Sequence, residues 1–211
     1  MTDVLTRIEG KVGFLSLNRP SAIHALTLDM VHIMTEALLG WRDNPAVDAI
    51  IIDHAEGRGF CSGGDIAFLR NSALNDGGVS GRKFFHDEYQ LNHLLFTYPK
   101  SVIAFMDGIT MGGGVGISQP ATFRVATENT RFAMPETGIG LFPDVGGGWY
   151  LSRLPGRVGP FLALTGARDM STIETPPQDR LPVETIVTQY DERTIRDAIQ
   201  REMNRGGQTF F

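Results

Sequence analysis

Cysteine is nearly absent from this chain. One residue, Cys61, stands among 211, so no internal disulfide can form, and the sequence suits a reducing compartment. Positive charge is also thin: 24 acidic residues face 19 basic ones for a net charge of −5, with no long Lys/Arg run. Nucleic acid is therefore not an expected partner, because its binding draws on clustered cations that displace phosphate counterions. No uninterrupted apolar run reaches membrane-spanning length, and Met1 to Pro20 lacks a basic start, apolar core and small-residue cleavage site. A soluble, cytoplasmic protein without membrane contact is the expectation. Glycine is scarce in one region only: of 25 glycines, 23 lie in the first 167 positions and 2 in the last 44. The composition thus shifts near Arg168.

What is present is an ordinary globular balance, 42% apolar and 20% charged, which excludes fibrous and disordered classes. Val4, Thr6 and Ile8, then Val12 to Leu17, read as strands joined by a Glu9-Gly10-Lys11 turn. Thr27 reads as an N-cap for a helix carrying Leu28, Val31, Thr35, Leu38 and Trp41, stopped at Asp43-Asn44-Pro45. Ala49 to Ile52 reads as a strand buried on both faces, and residues 71–81 as a mobile polar connection. A helix is expected from about Arg82 to Thr97, then strands at Ser101–Met106 and Thr122–Thr127, with Phe132 to Gly140 irregular. Strand, glycine loop and helix recur in that order, which argues for an α/β architecture with a site built on loops at strand ends.

Two of those loops, Ser62-Gly63-Gly64 and Gly112-Gly113-Gly114, could set two backbone N–H groups around one oxygen. That is the makeup of an oxyanion hole, and the second loop opens a helix whose dipole favours negative charge. Neither loop matches a phosphate-binding pattern. Glycine is also the default wherever φ is positive, so purely structural loops remain the alternative. Three carboxylates could serve such a site. Glu136 follows Pro135 and is otherwise a loop surface residue; Asp144 precedes three glycines and is otherwise a helix N-cap; Glu88 interrupts the apolar stripe Phe84, Leu91 and Leu95, and otherwise marks its wet edge. Cys61 has no histidine partner assigned by the sequence, and His86 and His93 lack further ligands at metal spacing. No metal is expected.

Three ordered segments, Gly59 to Ile66, Asp107 to Gly116, and Phe132 to Glu136 continuing through Leu141 to Gly148, resemble the enoyl-CoA hydratase/isomerase (crotonase) superfamily, and within it the 3-hydroxyisobutyryl-CoA hydrolase branch. The resemblance covers about residues 4–167. It implies a spiral of β-β-α turns around two sheets, binding a coenzyme A thioester, with coenzyme A part of the substrate and no separate cofactor. By position, the Gly64 and Gly113 amides would hold the thioester oxyanion, Glu136 would attack the carbonyl or activate water, and Asp144 would stand as a second acid near the acyl group. Glu88 would line the acyl pocket and bind a substrate hydroxyl. Ala22, His24 and Ala25, with Asp65 and Ile66, would lie along the substrate. Hydratases carry a second glutamate where this chain has Gly116, which favours hydrolysis of a short hydroxyacyl-CoA, a step of valine catabolism. Hydratase or isomerase activity, or an inactive acyl-CoA binder or misassembled fragment, are the alternatives.

Arg168 to Pro177 and Arg201 to Gln208 resemble a different family, the helicase module of the transcription-repair coupling factor and RecG-type proteins. No nucleotide-binding loop accompanies them, and residues 168–211 hold 6 basic and 8 acidic residues. The two resemblances together imply a fusion, an acyl-CoA domain over 1–167, incomplete on its C-terminal side, and a helicase-like fragment over 168–211; a divergent C-terminal region of the crotonase family is the alternative. Thr175-Pro176-Pro177 would be a stiff linker, Val183 to Thr188 a strand, and Asp191 the cap of a helix to Arg205. Loss of the C-terminal helical region would weaken a homo-oligomer.

Overall fold

Gly10 adopts φ +57°, the left-handed conformation that glycine reaches without strain, and so closes an antiparallel hairpin of β1 (Val4–Glu9) and β2 (Val12–Leu17). The computed structural model describes residues 2–167; the linker, strand, helix and helicase-like fragment read over 168–211 lie outside the described residues. Within them the order is β1, β2, α1 (Leu28–Arg42), β3 (Ala49–His54), β4 (Gly59–Cys61), α2 (Ile66–Asn75), α3 (Val79–Phe96), β5 (Ser101–Met106), β6 (Ile109–Met111) and α4 (Gly113–Ser118). Then come β7 (Phe123–Ala126), β8 (Arg131–Ala133), α5 (Gly147–Leu151) and α6 (Val158–Thr165), with short 3-10 turns at Pro20–Ala22 and Glu136–Ile139.

Two sheets result. One has five strands in the order β1-β2-β3-β5-β7, parallel after the hairpin; the other has three parallel strands, β4-β6-β8. Each of the pairs β3–β4, β5–β6 and β7–β8 sends its first strand to the large sheet and its second to the small one. The expected β-β-α repetition is thus present.

Helix α1 starts where the sequence indicates: the Met30 N–H donates to Thr27 Oγ1 at 3.2 Å. It lays Met30, Val31, Met34, Leu38 and Trp41 against Leu15, Leu17, Ile50, Ile52, Val102 and Ala104 of the large sheet in one apolar cluster. Fully burying each such side chain contributes roughly 1.5–3 kcal/mol before entropy is counted. The Trp41 ring packs against Gly13, where an added Cβ would sit 2.6 Å from it. A smaller cluster of Val115, Met134, Val145, Leu151 and Leu162 joins α4, β8, α5 and α6.

Three sequence expectations need correction. Strand β3 buries Ile50 and Ile52 fully but leaves Ala49 and Ile51 half-buried, so its two faces are not alike. Residues 71–81 are not a mobile connection: α2 runs to Asn75 and α3 begins at Val79. Polar side chains hold the turn between them, because the Ser72 hydroxyl donates to Asp76 Oδ1 at 2.6 Å while Asp76 accepts from the Val79 and Ser80 amides. Such local bonds supply caps that hydrophobic periodicity does not reveal. Finally, Phe132 and Ala133 belong to β8, paired with Thr110 and Met111, so the irregular stretch begins only at Met134.

Candidate active site

The three parallel strands of the small sheet end side by side, and each delivers one part of a cavity of about 230 Å³. Past β4 lie Gly63 and Gly64, past β6 Gly112 and Gly113, and past β8 Pro135 and Glu136. Carboxyl ends of parallel strands are where α/β proteins gather ligands, since the loops there are free to vary on a rigid base. Helix α3 adds Phe84, Phe85 and Glu88, and the loop before α5 adds Asp144 and Val145.

The glycine loops touch. A Cβ on Gly113 would lie 3.2 Å from the Gly64 nitrogen and 2.5 Å from Oε1 of Glu88, and one on Gly112 would lie 3.0 Å from Oε1 of Glu136. Gly63 lies against the Met111 carbonyl and Gly113 at φ +116°, a backbone conformation that residues with a side chain rarely adopt. Gly64 is pinned by a single bridge: Leu26 N–H donates to the Gly63 carbonyl at 2.7 Å and Asp65 N–H to the Leu26 carbonyl at 2.9 Å, leaving the Gly64 N–H out of the pairing. Gly113 opens α4, where the N–H groups precede intrahelical bonding. Among the described residues neither amide donates to a protein acceptor.

The carboxylates are buried beside them. Glu88 is 2% exposed, with Oε1 unpartnered; burial, then the charges of Asp144 and Glu136, push its pKa up to about 8. Glu136 is 6% exposed, with Oε2 unpartnered; burial, reinforced by Asp144, pushes it up to about 7 against the help of a backbone hydrogen bond. Asp144 is raised by burial, opposed by the Tyr89 phenol, which donates to its Oδ2 at 2.7 Å. Asp144 is not a helix N-cap: Gly146 occupies that position of α5. Glu88 is not a wet stripe edge, nor Glu136 a surface residue. Both face the cavity.

A raised carboxyl pKa also acts on stability. The folded chain keeps a proton on Glu88 that an unfolded chain, near the ordinary 4.5, gives up, so this group draws stability down as pH rises from about 4.5 through about 8. Glu88→Gln is therefore expected to unfold with the parent at pH 5 and about 5 °C higher at pH 8.5, read by thermal scans in both buffers. Equal midpoints at the two pH values would show that Glu88 is not held protonated.

Not every sequence candidate enters the cavity. Ile66 lines it, half exposed, whereas Ala22, His24, Ala25 and Asp65 do not. His24 is fully buried in the left-handed region at φ +53°; its Nδ1 accepts from the Arg19 N–H at 2.9 Å and its Nε2 lies 2.8 Å from the Glu56 carbonyl. Asp65 caps α2 through the Phe68 N–H and pairs with Arg19 at 2.7 Å. These residues fix the loop beside Gly64. Tyr89, Asn92 and Val145 were not singled out by sequence; no periodicity marks a phenol whose partner stands 55 residues away.

A family model described as enoyl-CoA hydratase/isomerase matches residues 12–173. The chain belongs to the enoyl-CoA hydratase/isomerase family. Among its members, a mitochondrial 3-hydroxyisobutyryl-CoA hydrolase of Danio rerio is 50% identical over 167 residues, covering 79% of this chain and 44% of that protein. The 3-hydroxyisobutyryl-CoA hydrolase 1 of Arabidopsis thaliana is 43% identical over 167 residues, with the same shares of 79% and 44%. The chain thus spans less than half the length of these relatives. The solved structure of a carnitinyl-CoA dehydratase from Mycobacterium thermoresistibile matches at 49% identity and TM-score 0.77, over 79% of this chain and 48% of that one. An enoyl-CoA hydratase from Rhodobacter sphaeroides matches at 36% identity and TM-score 0.78, over 97% and 66%. The family's α/β fold of β-β-α units is the fold described above. Among the described residues no helix is long and apolar enough to cross a membrane, and no group of three His, Cys, Asp or Glu could hold a metal ion.

Proposed function

We propose that this site hydrolyses a short hydroxyacyl-CoA thioester of the 3-hydroxyisobutyryl-CoA type. The observation that carries the reading is the buried Glu136 carboxyl, with one oxygen unpartnered, beside two adjacent and unspent glycine amides. In this reading the Gly64 and Gly113 N–H groups receive the thioester oxygen as negative charge builds on it. The Glu136 carboxylate forms the new bond to the carbonyl carbon, or takes the proton of a water that does, and the carbon–sulfur bond breaks to release coenzyme A as the thiolate, which takes its proton from water. Direct attack gives a mixed anhydride that water opens. Glu88 holds its proton at neutral pH and so offers an O–H donor as well as an acceptor to the acyl hydroxyl. Asp144, tied to Tyr89, stands as the second acid beside the acyl group.

Steric room supports hydrolysis over addition of water to a double bond. A side chain at Gly116 would start 2.7 Å from Cβ of Val145 and 3.1 Å from Nδ2 of Asn92, so α4 has no space for a second catalytic carboxylate. The half-length share of the relatives makes assay of the chain itself the test. Thiol release from 3-hydroxyisobutyryl-CoA is expected, with loss of crotonyl-CoA absorbance at least tenfold slower. The reverse ranking would replace this reading with hydration.

The pH profile follows from the same groups. Glu136 works ionised, so the rate rises through about pH 7; Glu88 works protonated, so it falls above about pH 8. A narrow bell in kcat/KM between these limbs is the expected result, and Glu88→Gln is expected to remove the alkaline limb alone. A flat profile from pH 6 to 9 would contradict both roles.

A further inference from the structure

Val145 stands in a conformation that its side chain disfavours. Its φ is +43°, in the left-handed region, and a β-branched residue there is strained because Cβ crowds the backbone carbonyl. Such a residue persists only where its surroundings over-determine it. Here they do. Val145 is 5% exposed and packs with Val115, Met134, Leu151 and Leu162. Its side chain rests on the bare backbone of Gly116 in α4: a Cβ at 116 would lie 2.7 Å from Cβ and 3.0 Å from Cγ1 of Val145.

The strain is placed next to a site residue. Gly146 follows at φ +85°, and the Gly147 N–H turns back onto the Asp144 carbonyl at 2.5 Å, so the chain reverses immediately after Asp144. The Asp144 carboxylate is held from the other side by Tyr89 on α3, at 2.7 Å. Asp144 and Val145 both line the candidate site and both line a second, larger and more open cavity, beside Tyr89, Asn92 and Tyr150. Asp144 and Val145 thus border two open volumes, and among the contacts that hold Val145 is its seat on Gly116.

We propose that Val145 is a positioning residue: its left-handed backbone, locked by the seat of its side chain on Gly116, fixes where the Asp144 carboxylate stands in the cavity. The proposal rests on the hydrolase reading for its kinetic consequence, but not for its structural one.

Moving the methyl across the contact tests it. Gly116→Ala pushes Val145 away, and Val145→Gly removes both the side chain and the reason for the strain. Each is expected to lower kcat for the acyl-CoA thioester by about 10- to 100-fold, since a displacement of about 1 Å at a reacting group costs that much, with KM within about twofold. The double variant Gly116→Ala/Val145→Gly carries one side chain in the contact again and is expected to return kcat to within about threefold of the parent. Crystal structures of the same three variants read the geometry without substrate. The Tyr89–Asp144 hydrogen bond is expected to open beyond about 3.5 Å in each single variant and to close in the double one. Single variants that keep the bond, or a double variant no better than the worse single one, overturn the proposal. Should the parent chain turn over no thioester, the hydrolase reading fails while the crystal comparison still decides Val145. If Gly116→Ala does not fold, Val145→Gly with the double variant decides it by the same two readings.

Discussion

Glu136→Gln is expected to lower kcat for thioester hydrolysis by about 10²- to 10⁴-fold while leaving substrate affinity within a fewfold of the parent. Glutamine keeps the volume and the planar end of the side chain, but it neither takes a proton nor attacks a carbonyl. The substitution also removes a buried acid whose pKa burial has raised, so the variant should be no less stable than the parent at pH 8. Loss of rate with retained or raised stability is the pattern that identifies chemistry rather than unfolding. A single turnover in ¹⁸O-labelled water gives positive evidence for one route: label reaches the Glu136 carboxyl only if an anhydride forms and water opens it at the Glu136 carbonyl, whereas direct attack by water labels the released acid alone. An unchanged kcat in Glu136→Gln would remove this residue from the mechanism altogether.

The next largest effect is expected at Gly113. In Gly113→Ala the new methyl carbon would begin 2.5 Å from Glu88 Oε1, 3.1 Å from Cδ1 of Leu26 and 3.2 Å from the Gly64 nitrogen, in the space between the two amides. A substrate oxygen would have to share that space. A loss of about 10²- to 10³-fold in kcat is expected, the size associated with one oxyanion donor, with a smaller rise in KM, because in the proposed hydrolysis the amides would hold developing charge more strongly than a neutral carbonyl. Calorimetry with coenzyme A thioester and a thermal scan provide the controls. Equal loss in kcat and binding would mean that the methyl blocks entry instead of disturbing the transition state.

Much of this site is legible in the sequence because it is written in glycine and in misplaced charge. Gly63 and Gly112 take positive φ where the two loops meet, Gly113 leaves little room beside the Gly64 nitrogen, and Glu88 sits on an apolar stripe that Phe84, Leu91 and Leu95 carry into the core. Local signals also place the Gly10 turn and the Thr27 cap. What escapes sequence reading depends on contacts across long separations. Tyr89 meets Asp144 only after α3 and the loop before α5 are packed together, and Val145 reveals itself through a backbone angle that valine does not advertise. The Ser72–Asp76 turn hides for the opposite reason: its polar, glycine-rich letters read as a loose link, while their hydrogen bonds make a tight corner.

Cys61 is fully buried at the end of β4; its thiol donates to the His24 carbonyl at 3.2 Å, and burial raises its pKa to about 12. Gly114 of α4 presses on its carbonyl and Cβ. The protein's sole thiol is thereby silent to thiol-reactive dyes as long as β4 and α4 stay together. In an assay that counts liberated coenzyme A with such a dye, the folded protein contributes no background. A slow enzyme-dependent signal without substrate would measure how often those two elements part, so one reagent reports both turnover and the breathing of the scaffold beneath the site.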